Sequence, residues 1–249
     1  MPAPCCWCGR KGCSALRFLR SILSALFFAM FGMGGILFSV ALLFPFPPPR
    51  ARRLLKASFR FFVWAGRVTG LFRVEISPED RRRLAAVQGS VVVANHLSLI
   101  DAVILTALLG DSVCITKEAV SRNPFMRAVA RNILIVRDNP IGVLESSREH
   151  LSRRVNVVVF PEGTRTPADA PRHRFRRGAA RIALNAGAPI ETVAISCDPP
   201  VLGKGQPWWD VGTRTVVYWI RCCGRIETGA ARLSPTDLTA QMHERIFAS

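Results

Sequence analysis

From Ser21 to Phe44 the chain reads SILSALFFAMFGMGGILFSVALLF, 24 positions without a charge. At about 1.5 Å of rise per residue, a helix of that length slightly exceeds a hydrocarbon layer of about 30 Å. This part of the chain therefore calls for a membrane. A cleaved signal peptide is the competing reading, but the run is long for one and continues into PFPPPRARR rather than a small-residue cleavage site, which favours retention. Arg10, Lys11, Arg17 and Arg20 precede it, and Arg50, Arg52, Arg53, Lys56 and Arg60 follow it. Positive charge on both sides gives no orientation. The segment either spans, or enters and returns with Pro45 and Pro47 to Pro49 making the bend. In the next stretch Leu54, Phe59, Phe62, Val63, Trp64 and Leu71 suit an apolar face, and Lys56, Arg60 and Arg67 suit lipid headgroups. The alternative is an ordinary amphipathic helix packed on a folded domain. These features divide the chain into a basic, Cys-rich tail (1–20), membrane-associated helices (21–73) and a folded domain (74–249).

Lys and Arg number 34 against 17 Asp and Glu, a net charge of +17, and 49% of residues are hydrophobic. Such a surface suits an anionic partner, and both nucleic acid and anionic lipid qualify. Of the eight cysteines, Cys5, Cys6, Cys8 and Cys13 cluster before the apolar run. Their single CxxC lacks a second ligand pair at a usual spacing, so no metal site is assigned; acylated thiols, or a chain start placed too early, fit as well. Cys114, Cys197, Cys222 and Cys223 sit in apolar runs, where a reduced thiol is a small hydrophobe.

Beyond residue 73 short β-branched runs alternate with helix-like segments. Strands are expected at 90–94, 112–116, 133–137, 155–160, 191–196 and 213–220, and helices at 101–109, 122–131, 141–154 and 178–187. A final helix should start at SPTD, with Ser234 as N-cap. The alternation predicts an α/β domain, a mixed, largely parallel sheet flanked by helices, behind an N-terminal membrane-embedded helical segment.

Three polar interruptions carry the candidate chemistry. In VVVANHLSLIDAVIL, His96 follows a strand where ligands of open α/β sheets bind. Asp101 lies about 140° around a regular helix from His96, at roughly 100° per residue, so a turn must bring the two together. Ser98, read as an N-cap with Asp101 three residues on, offers that turn. Asp101 is then either only a capping carboxylate or also the support of a histidine that takes a proton from an alcohol. In VVVFPEGTRT a buried strand delivers Pro161, Glu162, Gly163, Thr164 and Arg165 to its end. Arg165 suits phosphate, Gly163 lets backbone N–H groups approach closely, and Glu162 suits a substrate hydroxyl or Arg165 itself. A turn with a surface ion pair is the plain alternative. Arg172, Arg174, Arg176, Arg177 and Arg181 surround Phe175 and Gly178 at a helix start, as an anion-gathering loop or a solvated face. Lys117 and Arg137 end two further strands, and a parallel sheet would bring them to the same edge as His96.

Together these residues resemble the 1-acyl-glycerol-3-phosphate acyltransferase family of lysophospholipid acyltransferases. The family pattern N-H-x-S-x-x-D is met at Asn95, His96, Ser98 and Asp101, and F-P-E-G-T-R at Phe160 to Arg165. A second motif is looser: Lys117, Pro124 and Arg137 fit, while Arg127 and Asn132 stand where glycine is usual. Further on, Phe175, Gly178, Pro189 and Ile190 match, and Thr192 replaces a second proline. The resemblance runs from about residue 54 to 196. It implies that His96 is the general base, that Asp101 supports the imidazolium, and that Glu162, Gly163, Thr164 and Arg165, with Arg137 and Lys117, hold the acceptor. It further implies an acyl-CoA or acyl carrier protein thioester as co-substrate, and neither cofactor nor metal. The acceptor so implied is a lysophospholipid, foremost 1-acyl-glycerol-3-phosphate, on a bacterial inner membrane with residues 74–249 towards the cytoplasm.

The segment CDPPVLGKGQPWWD lies outside these motifs; ordinary packing accounts for it, and it also allows another acceptor, a lyso-ornithine or pigment-linked lipid. A hydrolase would need a G-x-S-x-G elbow, which the sequence lacks. A non-enzymatic binder of anionic lipid is the remaining alternative. One tyrosine and no recognisable module argue against nucleic acid as the partner.

Overall fold

A computed structural model describes residues 10–41, 47–117, 134–137, 139–167, 174–203, 205–207, 209–229 and 233–248. Strands β1 (Phe72–Ile76), β2 (Val91–Ala94), β3 (Ser112–Lys117), β4 (Leu134–Arg137), β5 (Asn156–Val159), β6 (Ile190–Asp198) and β7 (Val216–Ile226) form one sheet in the order β1-β7-β6-β2-β5-β3-β4. Strands β2 to β6 are mutually parallel, β7 runs antiparallel to β6, and β1 is parallel to β7. The sheet is mixed and largely parallel, as the alternation predicts. Its five parallel strands release their C-terminal ends along one edge, where the motif loops begin.

Every residue of VVVA in β2 and NVVV in β5 is buried, the signature of central strands covered on both faces. Alternate residues serve opposite cores: Val92, Ala94 and Val158 face one, Val91, Val93 and Val157 the other. The first core is closed by α2 (Pro48–Val68), α3 (Pro78–Ala86) and α4 (Asp101–Leu108) through Phe62, Leu84, Ile104 and Leu105. The second is closed by α5 (Pro140–Ser152), α6 (Gly178–Ala186) and α7 (Pro235–Phe247) through Val143, Ile182, Leu238 and Met242. Helix α7 opens at Ser234, whose hydroxyl accepts the Asp237 N–H at 3.1 Å.

The same signal opens a helix the sequence reading leaves out. In SPED, Ser77 Oγ accepts the Asp80 N–H at 2.9 Å and Pro78 takes the first turn of α3. Strand β1 was also unexpected, and the domain boundary placed at 73/74 falls inside it. FRVEI buries Phe72 and pairs only with β7, an edge position with too little apolar alternation to stand out. Strand β7 is displaced from the expected 213–220 to 216–226. The helix expected over 122–131 lies outside the described residues, as do Cys5, Cys6 and Cys8. Thr192, where the family has a second proline, donates its hydroxyl to Gly224 O at 2.8 Å beside a bulge in the β6–β7 ladder.

The apolar run belongs to α1 (Arg10–Ala41), which starts well before Ser21. Its stretch Leu16–Leu37 is long and apolar enough to cross a membrane, and 11% of it is buried. Arg17 and Arg20, both inside that stretch, are used by the fold: Arg17 pairs with Asp210 at 2.5 Å, and Arg20 donates to the carbonyls of Gly70, Gly212 and Arg214. Phe27 and Phe31 pack against Phe62 in tilted pairs at centroid distances of 4.9 and 4.2 Å, and Phe31 also meets Phe59 at 6.2 Å. That pairing runs α2 back along α1. The single apolar face expected for α2 is in fact two. Leu55, Phe59 and Phe62 turn inward, as a helix packed on the domain requires, while Leu54, Phe61, Trp64 and Val68 remain exposed.

Candidate active site

Beyond β2 the chain is pinned residue by residue. Asn95 imitates a strand residue: its Nδ2 donates to Ile195 O at 2.8 Å and its Oδ1 accepts the Ile195 N–H at 2.7 Å. This carries the β2–β6 pairing past Ala94 and fixes where His96 emerges. The His96 ring lies on Phe160, with centroids 4.3 Å apart and planes 26° from parallel, and Nδ1 is 3.0 Å from Asp101 Oδ2. Asp101 is fully buried, and its Oδ2 also accepts the N–H groups of Leu97 at 2.7 Å and Ser98 at 2.8 Å. An ionised carboxylate only accepts, so Nδ1 is the donor and Nε2 is left to take a proton. His96 lines a cleft with one fifth of its side chain exposed.

The turn is of the expected kind but not the expected register. Regular helix begins at Asp101 itself, with Ile100 in the cap position, so Ser98 is not the N-cap of α4. Ser98 instead closes the turn before it. Its N–H goes to Asp101, its Oγ accepts the Ile100 N–H at 3.2 Å, and Tyr218 donates its buried hydroxyl to the same Oγ at 3.0 Å. Burial raises the Tyr218 phenol well above its ordinary range, with the nearby Asp101 adding to the effect. Tyr218 is therefore a fixed, neutral donor.

Because β5 neighbours β2, its loop comes up against His96. Pro161 enters a turn closed by the Gly163 N–H on Phe160 O at 3.0 Å, and Gly163 takes φ +71°, a backbone few other residues accept. Two bonds cross between the loops. His96 N–H donates to Glu162 Oε1 at 3.2 Å, and Thr166 N–H donates to His96 O at 2.7 Å. Glu162 is buried, absent from the cleft wall, and joined to the neighbouring loop. Turned inward, the carboxylate satisfies an amide and spares the cleft a negative charge.

Pro161, Gly163, Thr164 and Arg165 do line the cleft, which has a volume of about 370 Å³. Arg165 gives its Nη1 to the carbonyls of Leu202 at 2.7 Å and Gly203 at 3.0 Å, which leaves Nε and Nη2 for an anion. Among the described arginines of the basic run, Arg176 is the one on the cleft wall, held by its N–H on Pro161 O at 2.9 Å. It stands with Gly178, where α6 starts. Elsewhere the wall is apolar, with Leu99, Ile115, Val143, Val159 and Ile182. Lys117 and Arg137 end β3 and β4 in direct register, on the strand edge expected for them.

Phe160, Tyr218 and Arg176 belong to this neighbourhood and were not singled out as site residues. Phe160 and Arg176 each stand inside a run already noted, but Tyr218 arrives from a strand 120 residues away, which no local pattern announces. Burial pushes the Cys114 thiol up to about 12 and that of Cys197 up to about 11, which leaves both poor nucleophiles. Among the described residues no group of three metal-ligating side chains converges.

A family model described as "Acyltransferase" matches residues 73–196, the span holding both loops. A 1-acyl-sn-glycerol-3-phosphate acyltransferase of Pseudomonas aeruginosa is 27% identical over 223 residues, covering 86% of this chain and 80% of that one. One of Helicobacter pylori is 33% identical over 100 residues, 37% of this chain and 42% of that one. Among solved structures, the 1-acyl-sn-glycerophosphate acyltransferase of Thermotoga maritima shares the fold, with a TM-score of 0.69 over 92% of this chain and 94% of that one at 22% identity. The family match spans both the His96 and the Arg165 loops, and the chain belongs to the acyltransferase family.

Proposed function

We propose that the protein moves a fatty acyl chain from an acyl-CoA or acyl carrier protein thioester to the free hydroxyl of 1-acyl-glycerol-3-phosphate, giving phosphatidic acid at a membrane surface. The observation that carries this reading is the His96 ring, held through Nδ1 by buried Asp101 at the mouth of a cleft with an arginine-bearing loop on one side and an apolar wall on the other. Nε2 takes the hydroxyl proton as the acceptor oxygen attacks the thioester carbonyl. On collapse the carbon–sulfur bond breaks, and the imidazolium returns the proton to the leaving thiolate. Asp101 stabilises that imidazolium; base catalysis of this kind contributes about 10² to 10⁴ in rate.

Arg165, through Nε and Nη2, and Arg176 suit the acceptor phosphate, with Arg137 and Lys117 on the same edge. Helix α1 and the exposed aromatics of α2 suit a bilayer, so acceptor and product need not leave it. The catalytic domain then faces the cytoplasm, where thioester donors are made, and the reaction feeds phospholipid synthesis without cofactor or metal. The test is a panel of lyso-acceptors incubated with the purified full-length protein and each thioester, with products identified by mass spectrometry. Phosphatidic acid as the dominant product is expected; acylation confined to a lyso-ornithine or pigment-linked acceptor would overturn the choice of acceptor.

A further inference from the structure

A second hollow in the described structure lies away from His96. A groove of about 510 Å³ runs between α2, α3, α4 and β1, and it shares no lining residue with the catalytic cleft. The two belong to opposite faces of the sheet: Ile104 and Leu108 of the groove join the first core, Val143 and Ile182 of the cleft the second. Volume alone puts the groove in the range of ligand sites.

Its lining is divided by chemistry. Val63, Val74, Ile104, Ala107 and Leu108 are apolar, whereas Arg60, Arg67, Arg81 and Arg82 supply four guanidinium groups. Two of these are positioned by backbone: Arg60 Nε donates to Ala107 O at 3.1 Å and Arg82 Nε to Pro78 O at 3.2 Å. Among the described residues, none of the four forms an ion pair with a carboxylate. The charge is felt nearby, since the Lys56 amine, one helical turn before Arg60, is lowered chiefly by burial and then by Arg60. Four uncompensated cations around an apolar floor match a molecule with an anionic head and a hydrocarbon tail.

The place of the groove selects the source of that molecule. Trp64, which lines it, is 58% exposed and stands 5.5 Å from the equally exposed Phe61, an aromatic pair suited to the bilayer interface. Helix α2 is also the helix that packs along the apolar α1. A soluble anion would use the arginines and waste the floor. We infer that this groove is a second lipid site, which holds the phosphate of a membrane anionic phospholipid on Arg60, Arg67, Arg81 and Arg82 and its acyl chain over the half-buried Val63 and Val74.

The site is tested on full-length protein in neutral detergent by native mass spectrometry, which counts lipid retained per chain. The probes are phosphatidylglycerol and phosphatidylcholine of equal chain length. Wild type should retain phosphatidylglycerol and not phosphatidylcholine. Arg67→Ala with Arg81→Ala should cut retention roughly tenfold, the scale of losing a charge-assisted contact. The same charge removed from the opposite face, by Arg148→Ala with Arg153→Ala, should leave retention unchanged, which separates a site from the general attraction of a +17 protein. Arg67→Lys with Arg81→Lys should hold more lipid than the alanine pair. Equal retention of both lipids, or equal loss from the two alanine pairs, overturns the proposal. Retention is read without turnover, so its failure is distinguishable from failure of the acyl-transfer reading.

Discussion

The loop after β2 is tied many times, within itself and to β6 and β7, whereas the loop after β5 has one turn of its own and few further ties. In the first, Asp101 Oδ2 collects three donors, Asn95 grips Ile195 by two bonds, and Ser98 is held from both sides. In the second, one backbone turn at Gly163 is supplemented by bonds to the first loop and to the 202–203 carbonyls. The difference suits a division of labour. In the proposed reaction the base must be held closely, and the acceptor is met by side chains on a more adaptable support.

The comparison is broken most severely at His96. His96→Ala should lower acyl transfer by about 10² to 10⁴ while membrane association and thermal unfolding stay near wild type. Substantial residual transfer would remove the base from the mechanism. Asp101→Asn probes the same loop without deleting volume. The amide oxygen can take the place of Oδ2 and keep all three donors, so what the variant removes is the carboxylate charge proposed to support the imidazolium. A fall of about 10² in kcat is expected, with a smaller change in KM. An unchanged kcat would leave Asp101 as a folding residue alone.

That last possibility is also where the sequence was least decisive. Residue types and spacing made Ser98 and Asp101 a capping pair and could not say whether the carboxylate also met His96. Both depend on one turn, which Tyr218 reaches from β7. Legibility followed the range of the interaction. Strands β2 and β5 were visible because burial on both faces demands uninterrupted Val runs, and α7 because its cap is local. Helix α3 carried the same cap signal and could have been found. Strand β1 depends on an edge pairing with β7, across 144 positions at Phe72 and Val216, that leaves little trace in FRVEI. Glu162 looks exposed beside a glycine turn in the sequence, whereas it is buried and its partner amide belongs to another loop.

The second loop should break differently. Arg165→Ala removes the groups proposed for the acceptor phosphate together with the tie to Leu202 and Gly203. KM for the acceptor should rise about tenfold, near 1.4 kcal/mol, with kcat falling less. Titrating acceptor at saturating donor separates the two, and an unchanged KM would assign Arg165 to the 202–203 carbonyls alone.

The mildest test reaches the first loop from outside. Tyr218→Phe keeps the buried ring and deletes one hydroxyl, so Ser98 Oγ keeps the Ile100 N–H and loses its other donor. One neutral hydrogen bond is worth about 1 kcal/mol, which for a chain of this size lowers Tm by about 2 to 4 °C. If Tyr218 only stabilised the fold, kcat at a temperature well below Tm would not change. If it positions the turn that aims the Leu97 and Ser98 amides at Asp101, kcat should drop a further few-fold, about 0.5 to 1 kcal/mol of barrier, with acceptor KM unmoved. Ser98→Ala deletes the same contact from its other end, so the double variant should be little worse than either single one. Additive losses would mean that the two residues act apart, and that the stiffness of the first loop comes from Asp101 and Asn95 without help from β7.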